Sequence, residues 1–320
     1  MKKELTFTIF SLTLILLTSL TLAKIEITQP LDTYNLGDRI PITVTLTPTA
    51  VTGNFEINLV CQDNTETVYK ISPAEGHFTS SEQQKINHQL ILEPQYIQEL
   101  LGECTITTSL GEESASTSPF TISSGMNLIA TLDKDRYDPD ETITLTIEAT
   151  KDNSKPLKGF VEISGVYNAN IEISGVVTES FQLNPETEPG TYNLEIFAYD
   201  KSTQILNQEN TSVSFKINQI PSFVQISLPN IEANPEEDFT ISADIYDQSG
   251  KSMDGTLSFL LISPKDEEST FTLQSGDFHT INLPTNATHG TYTLQSSFQD
   301  ISQEEEFVAV SYTHLRAHET

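Results

Sequence analysis

Three stretches of the chain carry the same alternation of apolar and polar side chains behind the same polar turn. The clearest runs from Tyr137 to Ile147, where Asp138-Pro139-Asp140-Glu141 leads into Thr142-Ile143-Thr144-Leu145-Thr146-Ile147. Side chains of a strand point to opposite faces in turn, so Ile143, Leu145 and Ile147 face a core while Thr142, Thr144 and Thr146 face water. The pattern predicts a half-buried antiparallel strand. Versions of it run from Tyr34 to Val44 and from Ala233 to Ala243, so the copies begin 103 and then 96 residues apart. That interval suits a small β-sandwich domain. Pro139 and Pro235 fix φ as the second position of a turn requires. Gly37 supplies backbone freedom in the first copy.

Two further markers recur in the same order. Gly190-Thr191-Tyr192 and Gly290-Thr291-Tyr292 match, with Gly102-Glu103-Cys104 in the corresponding place of the first repeat, and Gly53, Gly159 and Gly255 each open an apolar strand. Markers repeated in register predict a tandem array. The expected fold is all-β: three Ig-like antiparallel β-sandwiches over residues 24–123, 124–218 and 219–309, behind an N-terminal signal peptide. One helical turn is expected after Pro94, over Tyr96–Leu101 and closed by Gly102. The junctions near Ser123-Ser124-Gly125 and Asn218-Gln219-Ile220-Pro221 are short, which predicts an extended rod with limited bending.

The two ends read differently from the repeats. Residues 1–23 combine Lys2 and Lys3, a mostly apolar Leu5–Leu22 and the small-x-small site Thr21-Leu22-Ala23. This is the pattern of a secretory signal; an uncleaved membrane anchor is the alternative. The expected address is secreted or cell-surface. Residues 310–320 break the local composition and read as a translated sequencing adapter, so the natural chain is expected to continue past Ala309. Any attachment to a membrane is then expected only through an uncleaved signal or a missing C-terminal anchor. The formal net charge of −29 argues against nucleic acid and anionic lipid as partners. The partner expected instead is an unspecified cell-surface or extracellular ligand.

Candidate chemistry is sparse. Cys61 and Cys104 are the only cysteines, and an even count in an exported chain favours a disulfide. In a sandwich, a bridge of that separation is expected to tie the two facing sheets. Asp133, Asp135, Asp138, Asp140 and Glu141 cluster within nine positions and form a weak candidate for Ca²⁺, which takes six to eight oxygens. The spacing is not that of an EF-hand, and a solvated turn is the plainer reading. No other cofactor is expected. Asn210-Thr211-Ser212 and Asn286-Ala287-Thr288 fit the N-glycosylation pattern, both in expected loops. His77, His88, His279 and His289 lack local partners in the sequence, and no triad, phosphate loop or metalloprotease helix is present. The chain is expected not to be an enzyme.

The Tyr137–Ile143 turn-strand and the Pro189-Gly190-Thr191-Tyr192-Asn193-Leu194 corner resemble macroglobulin-type and bacterial Ig-like surface domains. In that pattern Asp140 and Glu236 stand where Gly is usual, and Cys104 replaces the corner Tyr. The reactive thioester Cys of full macroglobulins has no counterpart around Cys104, so protease trapping does not carry over. What the resemblance implies is a stalk, spacer or adhesive module. Two alternatives stand beside it: accessory sandwiches of an exported protease or glycan-degrading enzyme, and a carbohydrate- or calcium-binding module.

Overall fold

A computed structural model describes residues 24–47, 53–72, 74, 78, 82–97, 100–201 and 206–310. The expected signal at 1–23, His77 and all but the first residue of the 310–320 tail lie outside the described residues.

Three separate hydrophobic cores define the architecture. The first is enclosed by β1 (Lys24–Ile27), β2 (Thr33–Asn35), β3 (Arg39–Thr47), β4 (Phe55–Cys61), β5 (Asn64–Ile71), β6 (Gln84–Ile91), α1 (Pro94–Ile97), β7 (Gly102–Leu110), β8 (Glu113–Ser116) and β9 (Phe120–Ser123). One sheet runs β1-β3-β6; the other runs β2-β9-β7-β4-β5, with β8 also on β7. Alternation along β3 buries Ile40, Ile42, Val44 and Leu46 against Phe55, Ile57 and Leu59 of β4 in the facing sheet. The helical turn begins earlier than expected. Glu93 O accepts from Tyr96 N and Ile97 N, which places Pro94 at the first helical position, where its missing N–H costs nothing.

The second core lies between β10 (Met126–Leu132), β11 (Arg136–Tyr137), β12 (Thr142–Lys151), β13 (Lys158–Gly165), β14 (Ala169–Ser174), β15 (Val176–Gln182), β16 (Gly190–Asp200) and β17 (Gln208–Ile217). Here both layers form one continuous sheet, β10-β12-β15-β14-β13-β16-β17-β11. The single pair Ser174↔Val176 joins them around Gly175. Gly159 is needed for close approach: a Cβ there would sit 1.9 Å from Tyr199 O.

The third core is built by β18 (Pro221–Ser227), β19 (Glu232–Ala233), β20 (Asp238–Asp247), β21 (Ser252–Met253), β22 (Thr256–Ile262), β23 (Glu268–Gln274), β24 (Phe278–Asn282), β25 (Gly290–Phe298) and β26 (Ile301–Ala309). Its sheets are β18-β20 with β21 and β24 on the far side of β20, and β19-β26-β25-β22-β23. Val310 N donates to Ala233 O and continues the β19 pairing.

The short strands β2, β11 and β19 were not legible in the hydrophobic pattern. Each pairs in parallel with the last strand of its domain. After the first strand of every domain the chain thus leaves one layer and re-enters the other as a two- or three-residue piece. Tyrosine fixes that crossing twice: Tyr34 Oη accepts from Leu31 N (3.0 Å) and Tyr137 Oη from Lys134 N (3.1 Å). Their rings pack edge-on against Phe120 and Phe215. In the third domain the position is Ala233, and the volume is restored from β20, where Phe239 replaces the isoleucine of the other copies and packs 4.6 Å from Phe307.

Candidate functional site

The repeated turn has one geometry in all three domains. Asp38 N, Glu141 N and Glu237 N bond back to the carbonyls of Asn35, Asp138 and Asn234. The third residue has positive φ each time: +86° at Gly37, 74° at Asp140 and 68° at Glu236. These are type II turns, in which Asp140 and Glu236 accept the left-handed backbone that glycine takes freely. A carboxylate closes each one: Asp38 Oδ2 accepts from Asn35 N, Glu141 Oε2 from Asp138 N, and Glu237 Oε2 from Asn234 Nδ2.

This geometry disperses the carboxylates of the 133–141 cluster. Asp133 Oδ1 accepts from Tyr137 Oη and from Thr144 N, both at 2.8 Å. Glu141 Oε1 meets Lys134 Nζ at 2.9 Å. Asp138 Oδ1 accepts from Asn218 Nδ2 (2.6 Å), and Asp140 Oδ1 from Gln182 Nε2 (2.7 Å). Asp135 contributes its backbone carbonyl to Lys216 N. Among the described residues, no group of three or more His, Cys, Asp or Glu side chains is placed to hold a metal ion. The Thr144 amide holds the Asp133 carboxyl below the usual carboxylate range. Burial, and then the bond to Asp133, push the Tyr137 hydroxyl up to about 12.

Cys61 and Cys104 are bridged, but the bridge does not join the two layers. The two residues face each other in register on β4 and β7, neighbours in one sheet, with Cα atoms 4.0 Å apart. That spacing belongs to a close antiparallel pair. Separation along the sequence carries no information on which strands are neighbours, so only the pairing of β4 with β7 reveals it.

Of the glycosylation candidates, Asn286 lies in an exposed turn, whereas Asn210 lies within β17 and pairs with Phe197. The strand extends past the apolar run because β16 pairs with it as far as Tyr199↔Gln208. His88 packs against Tyr69, and burial pushes its pKa down. His279 stacks on Phe271 with centroids 4.1 Å apart.

The most extensive polar constructions are the two joints between domains. At the first, Asn35 and Asn207 are fully buried. Asn35 Nδ2 donates to Gly125 O (2.7 Å) and to Asn207 Oδ1 (3.1 Å), and Asn35 Oδ1 accepts from Asn153 N (2.9 Å). Asn207 Nδ2 donates to Leu36 O (3.0 Å) and to Asp200 Oδ2 (2.7 Å). Asp38 takes Asn153 Nδ2 (2.6 Å) and Lys155 Nζ (3.0 Å). Leu206 packs on the first domain's core.

The second joint uses the opposite end of the middle domain. Gln248 pairs with Ile220 through N to O (3.1 Å) and Oε1 to N (2.9 Å). Its Nε2 reaches Thr187 O and Asn218 O. Gln219 Nε2 donates to the buried Asp247 (2.9 Å), and Lys251 meets Glu188 at 2.5 Å. Burial pushes the Asp247 carboxyl up, but hydrogen bonds from Ser249, Gln219 and the Lys251 and Ser249 amides outweigh it and hold the group down. The sequence does not single out these residues as joint formers. Their type suits a turn equally well, and nothing along the chain marks which turns meet another domain.

No protein-family model and no curated protein matches the chain. Solved structures do align with it. A tetra-tandem repeat from the extending region of a large adhesion protein matches over 89% of this chain and 74% of its own, at 13% identity and TM-score 0.33. A Salmonella alpha-2-macroglobulin reacted with methylamine matches over 90% of this chain and 23% of its own, at 12% identity and TM-score 0.26. Among the described residues no helix is long and apolar enough to cross a membrane.

Proposed function

We propose that the chain is a non-enzymatic structural and adhesive stalk, acting outside the cell as a secreted or cell-surface protein. One observation carries this reading: both joints are closed by direct hydrogen bonds at opposite ends of the middle domain, the first around two fully buried asparagines. A buried amide whose donors and acceptors are all matched tolerates few orientations, since each lost partner costs about 1–3 kcal/mol. Domains fixed end to end transmit position and force, which is what a spacer does. Calcium is not required by this reading, because the chain's own donors occupy the carboxylates of Asp133, Asp138, Asp140 and Glu141.

Small-angle X-ray scattering of the whole chain in solution tests it. The expected result is a single extended particle, with a maximum dimension of roughly 100 Å or more from three strand lengths in line, unchanged by EDTA. A compact particle, or a broad distribution of bent forms, refutes the stalk.

A further inference from the structure

Three aromatic rings stand on the outer face of the smaller sheet of the third domain. Phe223 is 46% exposed and stacks on its cross-strand neighbour Tyr246, with centroids 4.8 Å apart and planes 14° apart. Phe278, opposite Ser242 on the same face, is 75% exposed. Ser242 and Tyr246 are four residues apart on β20, which puts the two aromatic stations about 13 Å apart along the sheet. Gln225 and Asp244, paired across β18 and β20, lie between them on the same face.

The fold does not ask for these rings. The repeat supplies the comparison, because the buried faces of β3, β12 and β20 align residue for residue. The positions of Phe223, Tyr246 and Phe278 are held by Lys24, Thr47 and Asn87 in the first domain. In the second they are Asn127, Thr150 and Thr178. Two domains of the same architecture thus use polar side chains at all three places. Exposing Phe278 gives up its burial energy, and rings at three positions that are polar in both other domains point to a contact surface.

We infer that this face of the third domain binds a linear neutral polysaccharide. Sugar rings offer C–H faces to aromatic rings and hydroxyls to amides and carboxylates. The face supplies both in alternation: Phe223 and Tyr246, then Gln225 and Asp244, then Ser242 with Phe278. Two stations about 13 Å apart call for a repeating chain rather than one compact ligand. The charge selects a neutral one, since Asp244 sits mid-face and the whole protein carries −29. A protein partner is disfavoured because a protein interface is built on a contiguous apolar centre, whereas these stations are divided by a polar row. The inference deepens the adhesive part of the proposed function and rests on it for an extracellular setting.

The test is affinity electrophoresis of the whole chain through gels containing mixed-linkage β-glucan, xyloglucan, galactomannan, xylan, dextran or polygalacturonate, with pull-down on cellulose and chitin. The expected result is retention by at least one neutral polysaccharide and none by acidic polygalacturonate. Phe223→Asn/Tyr246→Thr/Phe278→Thr, which installs the second domain's residues, is expected to lose affinity about tenfold or more. Phe278→Thr alone, at the most exposed ring, loses affinity severalfold and serves where the triple variant fails to fold by thermal unfolding. Failure of every neutral polysaccharide to retain the chain overturns the inference. So does retention that the variants leave unchanged, or retention by polygalacturonate alone. The scattering experiment separates the two ideas: a straight rod without retention removes this inference alone, and a bent chain with retention removes the stalk alone.

Discussion

Single residues do unequal work in three otherwise equivalent turns. Gly37 adopts its positive φ without cost, while Asp140 and Glu236 hold the same backbone at about 1 kcal/mol or more each. They stay because the flanking strands and the closing carboxylates leave the turn no other shape. Tyr137 is the residue most bound up with its turn, joined at once to Asp133 and to the Lys134 amide. Its hydroxyl is pushed up to about 12 by burial and by Asp133, against an ordinary 10.0. A raised folded pKa contributes stability that is fully present below the unfolded pKa and lost as pH rises through the folded one. The second domain should therefore lose stability between pH about 10 and about 12. Urea unfolding from neutral pH up to about pH 12 should show Tyr137→Phe about 1 kcal/mol less stable at neutral pH, with a flatter alkaline decline than the parent.

Elements were the level at which the sequence was most legible. Alternation placed β3, β12 and β20 with the correct faces inward, because Ile40, Ile143 and Phe239 each begin a strict period of two. It missed β2, β11 and β19, which are two or three residues long and held by a parallel partner near the far end of the domain. Such strands have too few residues to show a period. The disulfide divides the same way. Two cysteines in a chain that reads as exported announced a bridge, and only the adjacency of β4 and β7 placed it within one sheet. Closing a loop of 43 residues stabilises by about 4 kcal/mol on the chain-entropy model. Reduction, or Cys61→Ala/Cys104→Ala, should lower the unfolding transition of the first domain by an amount of that order. Calorimetry should show the transition of the third domain, which shares no joint with the first, unmoved.

On the scale of the whole molecule, the joints decide behaviour. Asn35 belongs to a turn that reads like its two counterparts, yet it is buried because the second domain closes over it. Asn35→Ala leaves Asn207 Oδ1 and Asn153 N without their partner and takes one of two donors from Gly125 O. The variant should bend at the first joint and stay straight at the second, with a shortened scattering dimension. Calorimetry should also show the first two domains losing about 1–3 kcal/mol of mutual stabilisation.

The sequence by itself determined what local chemistry governs. Side-chain alternation sets which strand face is buried, proline and glycine set the turns, and the recurrence of both sets three sandwiches in a row. Tertiary structure alone decided which strands became neighbours, and hence that Cys61 meets Cys104 within one sheet. It decided that Asn35 and Asn207 meet across a joint while the carboxylates of Asp133, Asp138, Asp140 and Glu141 turn to separate partners. It also decided that Phe223, Tyr246 and Phe278, drawn from three strands, share one open face. Each of these outcomes brings together residues far apart in the chain. Their proximity is set by strand order and register, which no local pattern encodes.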